Sequence, residues 1–252
     1  MGLCNSPKIF QEKMSELFVG LDTVHVYIYD LLHVTKGSWI EHLTVFEEMF
    51  TRLQKAGIKA NASKSCFGAH KFDYLGYHVT RGGVMPIPKK VEAIQALTVP
   101  KTRIQLRQFM GMIKFYRDMW QKRSELLAPL TALTSKNVKY DWKDEHQKCF
   151  NAIKHVIGRE VLLAYLDFNA PSEIHTDASK LQISAVISQK GKPIAFYSRK
   201  MNSAQKNYTT TEKELLSIVA TLKEFYNIIL GQQITVYTDN KNLTYKILIQ
   251  NA

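Results

Sequence analysis

Acidic residues are scarce in this chain: 22 Asp and Glu stand against 34 Lys and Arg, which leaves a formal charge of +12 over 252 residues. Such a deficit argues against a basic partner and favours a polyanionic one. Cysteine is scarcer still. Cys4, Cys66 and Cys149 lie far apart, with no CxxC pair and no His-rich neighbourhood, which excludes a disulfide framework and a zinc site and fits a reducing compartment, cytoplasm or nucleus. Long apolar runs are missing too. None approaches the roughly 20 residues of a membrane span, and no charged-then-apolar leader opens the chain, so no membrane association is expected. With 45% hydrophobic and 22% charged residues the composition is that of a folded protein, long enough for two or three small domains.

The excess charge is local. Lys89, Lys90, Lys101, Arg103, Arg107, Lys114, Arg117, Lys122 and Arg123 fall between positions 89 and 123, against Glu92 and Asp118 alone. A solvated helix face is the ordinary explanation of such a run, and phosphate contacts are the functional one.

Three acids near the C-terminus carry the strongest chemical signal. Asp177 closes the alternating run Glu173-Ile174-His175-Thr176-Asp177, and Asp239 closes Ile234-Thr235-Val236-Tyr237-Thr238-Asp239; both read as strands. Glu214 falls in the first turn of a helix opened by Thr211, with Thr211-Glu212-Lys213-Glu214 as a capping-box pattern. Leu215, Leu216, Ile218, Val219, Leu222, Phe225, Tyr226 and Ile229 follow at three- and four-residue steps, which predicts a buried apolar face. Between strand and helix, Gln189-Lys190-Gly191-Lys192 predicts a hairpin turn flanked by Ala185–Ser188 and Pro193–Tyr197. Strand, hairpin, helix and strand would bring the acids into one pocket able to hold divalent metal. Singly, each acid has a blander explanation, as a turn former or as a helix N-terminal carboxylate.

The first half reads as α+β. Asn5 or Ser6 caps a helix with Pro7 at its first position; Val24–Val34 forms two short strands turning near Tyr29-Asp30; a helix spans about Ser38 to Ala56 with Trp39, Leu43, Phe46, Met49, Phe50 and Leu53 on one side. Glycine-punctuated strands around Tyr74-Leu75-Gly76-Tyr77-His78-Val79 follow.

Taken together, His175-Thr176-Asp177-Ala178-Ser179, Tyr208-Thr209-Thr210-Thr211-Glu212-Lys213-Glu214-Leu215-Leu216 and Tyr237-Thr238-Asp239-Asn240-Lys241-Asn242-Leu243 resemble the ribonuclease H region of gypsy-class LTR retrotransposon polyproteins. Gly2-Leu3-Cys4-Asn5-Ser6-Pro7 with Phe10-Gln11 resembles the nucleotide-pocket motif of the same elements' reverse transcriptase. Tyr74-Leu75-Gly76-Tyr77 is similar to the segment that grips the primer end, and residues 85–137 to the thumb. The resemblance implies an α+β chain with the C-terminal part of the palm over 1–84, a helical thumb over 85–137, and a ribonuclease H-like mixed sheet with helices over 138–252, of which 138–171 is a lead-in helix and connection. It implies Mg2+ or Mn2+ held by Asp177, Glu214 and Asp239, with Glu214 rather than Glu212 matching the family's glutamate, although periodicity alone leaves the two open. It also implies an RNA–DNA hybrid or duplex partner, contacted by Lys101, Arg103, Arg107, Lys114 and Arg117.

Two departures bear on the chemistry. Where the family has paired aspartates at the tip of a hairpin, this chain has Tyr29 and Asp30, and a neutral phenol is a poor magnesium ligand. The family's upstream aspartate precedes the motif at Gly2, and its last ribonuclease H strand and helix follow the region of Asp239. The expectation is therefore a fragment truncated at both ends, its polymerase activity lost, Asp30 a residual acid and its nuclease site incomplete. A non-catalytic nucleic-acid-binding module is the competing expectation.

Overall fold

The computed structural model describes residues 4–159 and 161–244, and Gly2 and Leu3 of the opening motif lie outside them. The chain divides into two compact units, residues 1–68 and 69–252.

In the first unit, α1 (Ser6–Leu17) is followed by the hairpin of β1 (Val24–Tyr27) and β2 (Asp30–His33) and by α2 (Trp39–Lys55). The antiparallel register pairs Tyr27 with Asp30, so the turn is Ile28-Tyr29, one residue earlier than the sequence suggests. Ile28 takes the positive φ of 52° that so tight a turn demands. Gln11 of α1 holds the turn from below: its Oε1 accepts from the Ile28 N–H, and its Nε2 donates to Val26 O at 3.1 Å. Ser38 caps α2 in a reciprocal box with Glu41. Met14, Phe18, Val24, Met49 and Leu53 form the core of this unit. The expected stripe on α2 is only partly buried, since Trp39, Leu43 and Phe50 remain exposed while Met49 and Leu53 are covered. The C-terminal half of the helix supplies the buried contacts, while nearer its start His42 stacks on His33 of β2 with ring centroids 4.4 Å apart.

The second unit opens with an antiparallel sheet of β3 (Lys71–Tyr74), β4 (Tyr77–Thr80) and β5 (Gly83–Pro86). Four helices follow: α3 (Pro88–Ala96), α4 (Arg103–Lys114), α5 (Arg123–Leu133) and α6 (Asp144–Gly158). They pack around Leu106, Phe109, Ile113, Leu130, Phe150 and Ile153, with the Phe109 and Phe150 ring centroids 4.8 Å apart. Burying side chains of this size contributes about 1.5–3 kcal/mol each, so this cluster dominates the unit's stability.

Next come β6 (Ser172–Ala178), β7 (Gln182–Gln189), β8 (Lys192–Lys200), α7 (Ser203–Lys206), α8 (Thr210–Glu224), α9 (Tyr226–Ile229) and β9 (Ile234–Tyr237). Their four-stranded sheet has the order β8-β7-β6-β9, with β9 parallel to β6 and the other pairs antiparallel. The hairpin between β7 and β8 turns at Lys190-Gly191, both at positive φ. One face of the sheet receives α8 and α9 through Ile174, Ala185, Ile187, Phe225 and Ile229. The other face joins the helical core at Val186 and Phe196. Consequently β7 is covered on both sides, while the β6–β9 part of the second face stays open among the described residues. No helix among the described residues is long and apolar enough to cross a membrane.

Candidate acidic site

Alternation along β6 sends Ile174 and Thr176 toward α8 and Asp177 to the opposite face, where 55% of its side chain is exposed. β9 ends at Tyr237, two residues short of Asp239, which lies exposed in the bend that follows. That bend is tied to the start of α8 by Asn240 Nδ2, which donates to Thr211 Oγ1 at 3.1 Å.

The capping box of α8 differs from the sequence expectation by two residues. Thr209, not Thr211, is the N-cap: its backbone is extended, its Oγ1 accepts from Glu212 N–H at 3.3 Å, and Glu212 Oε2 accepts from Thr209 N–H at 2.7 Å. These bonds hold the Glu212 carboxyl below the usual glutamate range and occupy it structurally. Glu214 therefore stands one position beyond the first turn, free of any capping role. It is 2% exposed. Its Oε1 accepts from the Ala178 N–H at 3.1 Å at the end of β6, and its Oε2 is buried without a partner. Burial first, then the negative charge of Asp239 and, less strongly, of Asp177 push this carboxyl above its ordinary range.

The buried face of α8 also differs from the expected apolar stripe. Glu214, Ser217 and Thr221 face the sheet, while Leu215, Val219 and Tyr226 are exposed. Small side chains explain the choice, because they let the helix approach the strands closely enough for Ser217 Oγ to donate to Ser184 O at 3.1 Å. The same rotation carries Glu214 over the strand ends. Leu222 and Phe225 provide the apolar contact lower down.

The three acids are electrostatically coupled but are not gathered into one pocket, as the sequence led us to expect. Among the described residues no group of three His, Cys, Asp or Glu side chains is placed to hold a metal ion. The reason is topological: Glu214 rises from the helix-covered face, Asp177 projects from the other, and Asp239 comes from a bend. Asp177 also has a cation already, since Lys122 Nζ lies 3.5 Å from its Oδ2. In chemistry the set still suits a hard divalent ion, with three carboxylates and one buried carboxylate oxygen lacking a donor.

Asp30 begins β2 in the first unit, and Tyr29 is exposed in the turn before it, its ring 5.3 Å from Phe10. Of the five bases assigned to phosphate contact, three are used internally. Arg103 donates to Leu133 O at 3.3 Å and to Val138 O, and Arg107 donates to Thr134 O at 2.6 Å, which satisfies carbonyls at the end of α5. Arg117 pairs with Asp118 at 3.2 Å and Glu224 at 3.3 Å. Lys101 and Lys114 have no side-chain partner of this kind. Arg107→Ala is accordingly expected to destabilise the fold by about 1 kcal/mol in chemical denaturation.

Lys122, His175 and Tyr237 belong beside this site, although sequence reasoning counted Lys122 only within the basic cluster and assigned the two rings no role. His175 and Tyr237 are paired across β6 and β9 and stack at 4.5 Å with 7° between their planes. Nothing in the sequence signals the Lys122–Asp177 contact, which bridges segments far apart in the chain.

Comparison with known proteins supports a common origin for the whole chain. Residues 1–79 match the family described as reverse transcriptase (RNA-dependent DNA polymerase), and residues 142–236 the RNase H-like domain found in reverse transcriptase. The Pol polyprotein of transposon 297 from Drosophila melanogaster is 35% identical over 97% of this chain and 23% of its own length. That of transposon gypsy from the same organism is 29% identical over 100% of this chain and 26% of its own. The chain thus spans about a quarter of these relatives. Among solved structures, the foamy viral protease-reverse transcriptase in complex with RNA/DNA hybrid superposes with a TM-score of 0.84 at 26% identity, covering 98% of this chain and 35% of that one. A form of the same protein bound to double-stranded DNA gives 0.85 at 25% identity, covering 98% and 45%.

Proposed function

The chain carries the reverse transcriptase and ribonuclease H-like domains of a transposon Pol polyprotein, and from that premise we propose that its second unit binds RNA–DNA hybrid or duplex nucleic acid and cleaves the RNA strand of the hybrid with Mg2+ or Mn2+. The observation that carries this reading is Glu214, a buried carboxylate with one oxygen lacking any donor and two further acids acting on it. A structural glutamate would have found a cationic partner, because an unpaired buried charge is costly. To be held by all three acids, a divalent ion would need Asp177 to leave Lys122 and join Glu214 and Asp239; it would then supply positive charge at the scissile phosphate and acidify an attacking water. The chain's own contribution is placement. The Ala178 N–H fixes the Glu214 carboxylate, α8 excludes water from beneath it, and Asp177 and Asp239 stay open to solvent where a strand can reach them. Solved neighbours bound to hybrid and to double-stranded DNA support the same partner class, and Lys101 and Lys114 are free to meet phosphates. To the first unit we assign no nucleotide transfer, because Tyr29 offers a neutral phenol where a second carboxylate is needed.

The purified chain, given a labelled hybrid and Mg2+ or Mn2+, should cut the RNA strand and leave the DNA strand whole. Chelation should stop the reaction, and so should Asp177→Asn. Cleavage that survives Asp177→Asn would point to a contaminant, and tight binding without metal-dependent cleavage would leave a binding module only.

A further inference from the structure

Beside the acids, the open face of β6 and β9 carries a group of side chains that the cleavage chemistry does not use. His175 and Tyr237 occupy directly opposed positions of the parallel pair, and their ring planes are almost parallel in the stack. Both are exposed, Tyr237 by 45%. By strand alternation they share the face of Asp177, which follows His175 by two residues, or ~7 Å along the strand. At that end Lys122 Nζ reaches across from the start of α5 to within 3.5 Å of Asp177 Oδ2, on a backbone held at φ 49°. Neither this ammonium nor this ring pair contributes to an apolar core.

Cross-strand aromatic pairs normally strengthen strand pairing, and this pair is placed to do so. Both residues are also exposed among the described residues, on the face where Lys122 meets Asp177, in a molecule with a large excess of positive charge. Aromatic faces beside a basic group are the elements that receive unpaired nucleotides, because every base has a π-face and every nucleotide a phosphate. Bases inside a duplex are already stacked, so the ligand class is a single strand.

We propose that this face is a shelf for single-stranded nucleic acid, on which the His175–Tyr237 stack receives a base and Lys122 takes the adjoining phosphate, exchanging Asp177 for it. The inference rests on the nucleic-acid reading above for its class of ligand but not on metal-dependent cleavage. It is therefore tested without metal.

Binding of a short fluorescein-labelled single-stranded DNA would be followed by anisotropy in EDTA for the full chain and its variants. Tyr237→Val preserves strand propensity and should weaken binding roughly 5- to 100-fold, with His175→Val acting in the same direction. Tyr237→Phe should remain within about twofold, and Lys122→Gln should lower the salt slope by about one. Melting curves of each variant identify any loss of fold. If Tyr237→Val and His175→Val bind like the parent, the stack only staples the strands together and the shelf is wrong, whereas the nuclease reading stands. If the parent chain binds neither single strand nor hybrid, both readings fail. If hybrid cleavage is absent but Tyr237→Val still weakens single-strand binding, the shelf stands alone.

Discussion

Glu214→Gln is expected to melt at a higher temperature than the parent chain at neutral pH while cutting hybrid about two orders of magnitude more slowly, or worse. The two effects have one cause. Burial and the negative fields of Asp239 and Asp177 disfavour the ionised carboxylate, so the folded chain holds the Glu214 proton more tightly than the unfolded chain does. A folded pKa raised above the ordinary 4.5 means that this group supports the fold most fully below that value. Its support is then lost as pH rises through the raised value. Above the raised value the parent carries the full cost. Glutamine removes the charge, keeps an oxygen for the Ala178 N–H, and offers N–H donors toward two acids. The variant's stability should therefore lack the parent's decline as pH rises above 4.5. Added Mg2+ should raise the melting temperature of the parent and not of the variant, since only a native-state site can gain stability by mass action. A variant that melts lower than the parent at neutral pH would show the buried carboxylate to be satisfied and would sink the account.

Gly83→Ala should be among the most damaging single-methyl additions in the second unit, costing about 3 kcal/mol or more in denaturant unfolding. Gly83 has φ 145°, a conformation that side-chain-bearing residues rarely adopt, and a Cβ there would run into the carbonyl oxygen of Leu163. That carbonyl is not free to move. It accepts from the Val84 N–H at 2.8 Å, and Leu163 N–H donates back to Val84 O at 2.9 Å, which clips β5 to the segment leading into the four-stranded sheet. Gly82 is the internal control. An added Cβ there meets the end of the Leu162 side chain at 3.4 Å and Thr80 Oγ1 at 3.9 Å, both ordinary contacts, so Gly82→Ala should change stability by less than about 1 kcal/mol. Equal losses at the two positions would mean that general loop stiffness, rather than the close approach to Leu163, governs this corner.

Much of the acidic site was legible in the residues because its parts are local. Alternation placed Asp177 near the end of a strand, Gln189-Lys190-Gly191-Lys192 announced a hairpin through glycine's tolerance of positive φ, and the order of three motifs marked the ribonuclease H-like half. Choices between near-equivalent local options were not legible. Thr209 and Thr211 are both competent caps, each followed three residues later by a carboxylate that could close a box. Which one is used depends on where the chain enters the helix from α7, and that decided which glutamate was left to face the acids. Likewise, Leu215, Leu216, Ile218, Val219 and Leu222 recur along α8, yet the sheet accepted the helix by its serine and threonine positions, because close backbone approach won over apolar area.

The sequence by itself determined the class of chain, the succession of strands and helices, the excess of positive charge and the identity of the acids, since each follows from short-range sterics, periodicity or residue chemistry. Only the tertiary structure decided how those charges are used. Arg103 and Arg107 satisfy carbonyls at the end of α5, Lys122 lies against Asp177, and Glu214 is buried from one face of a sheet whose other face carries Asp177. These outcomes join segments tens of residues apart, where partner and dielectric are set by packing and no local pattern in the chain encodes them.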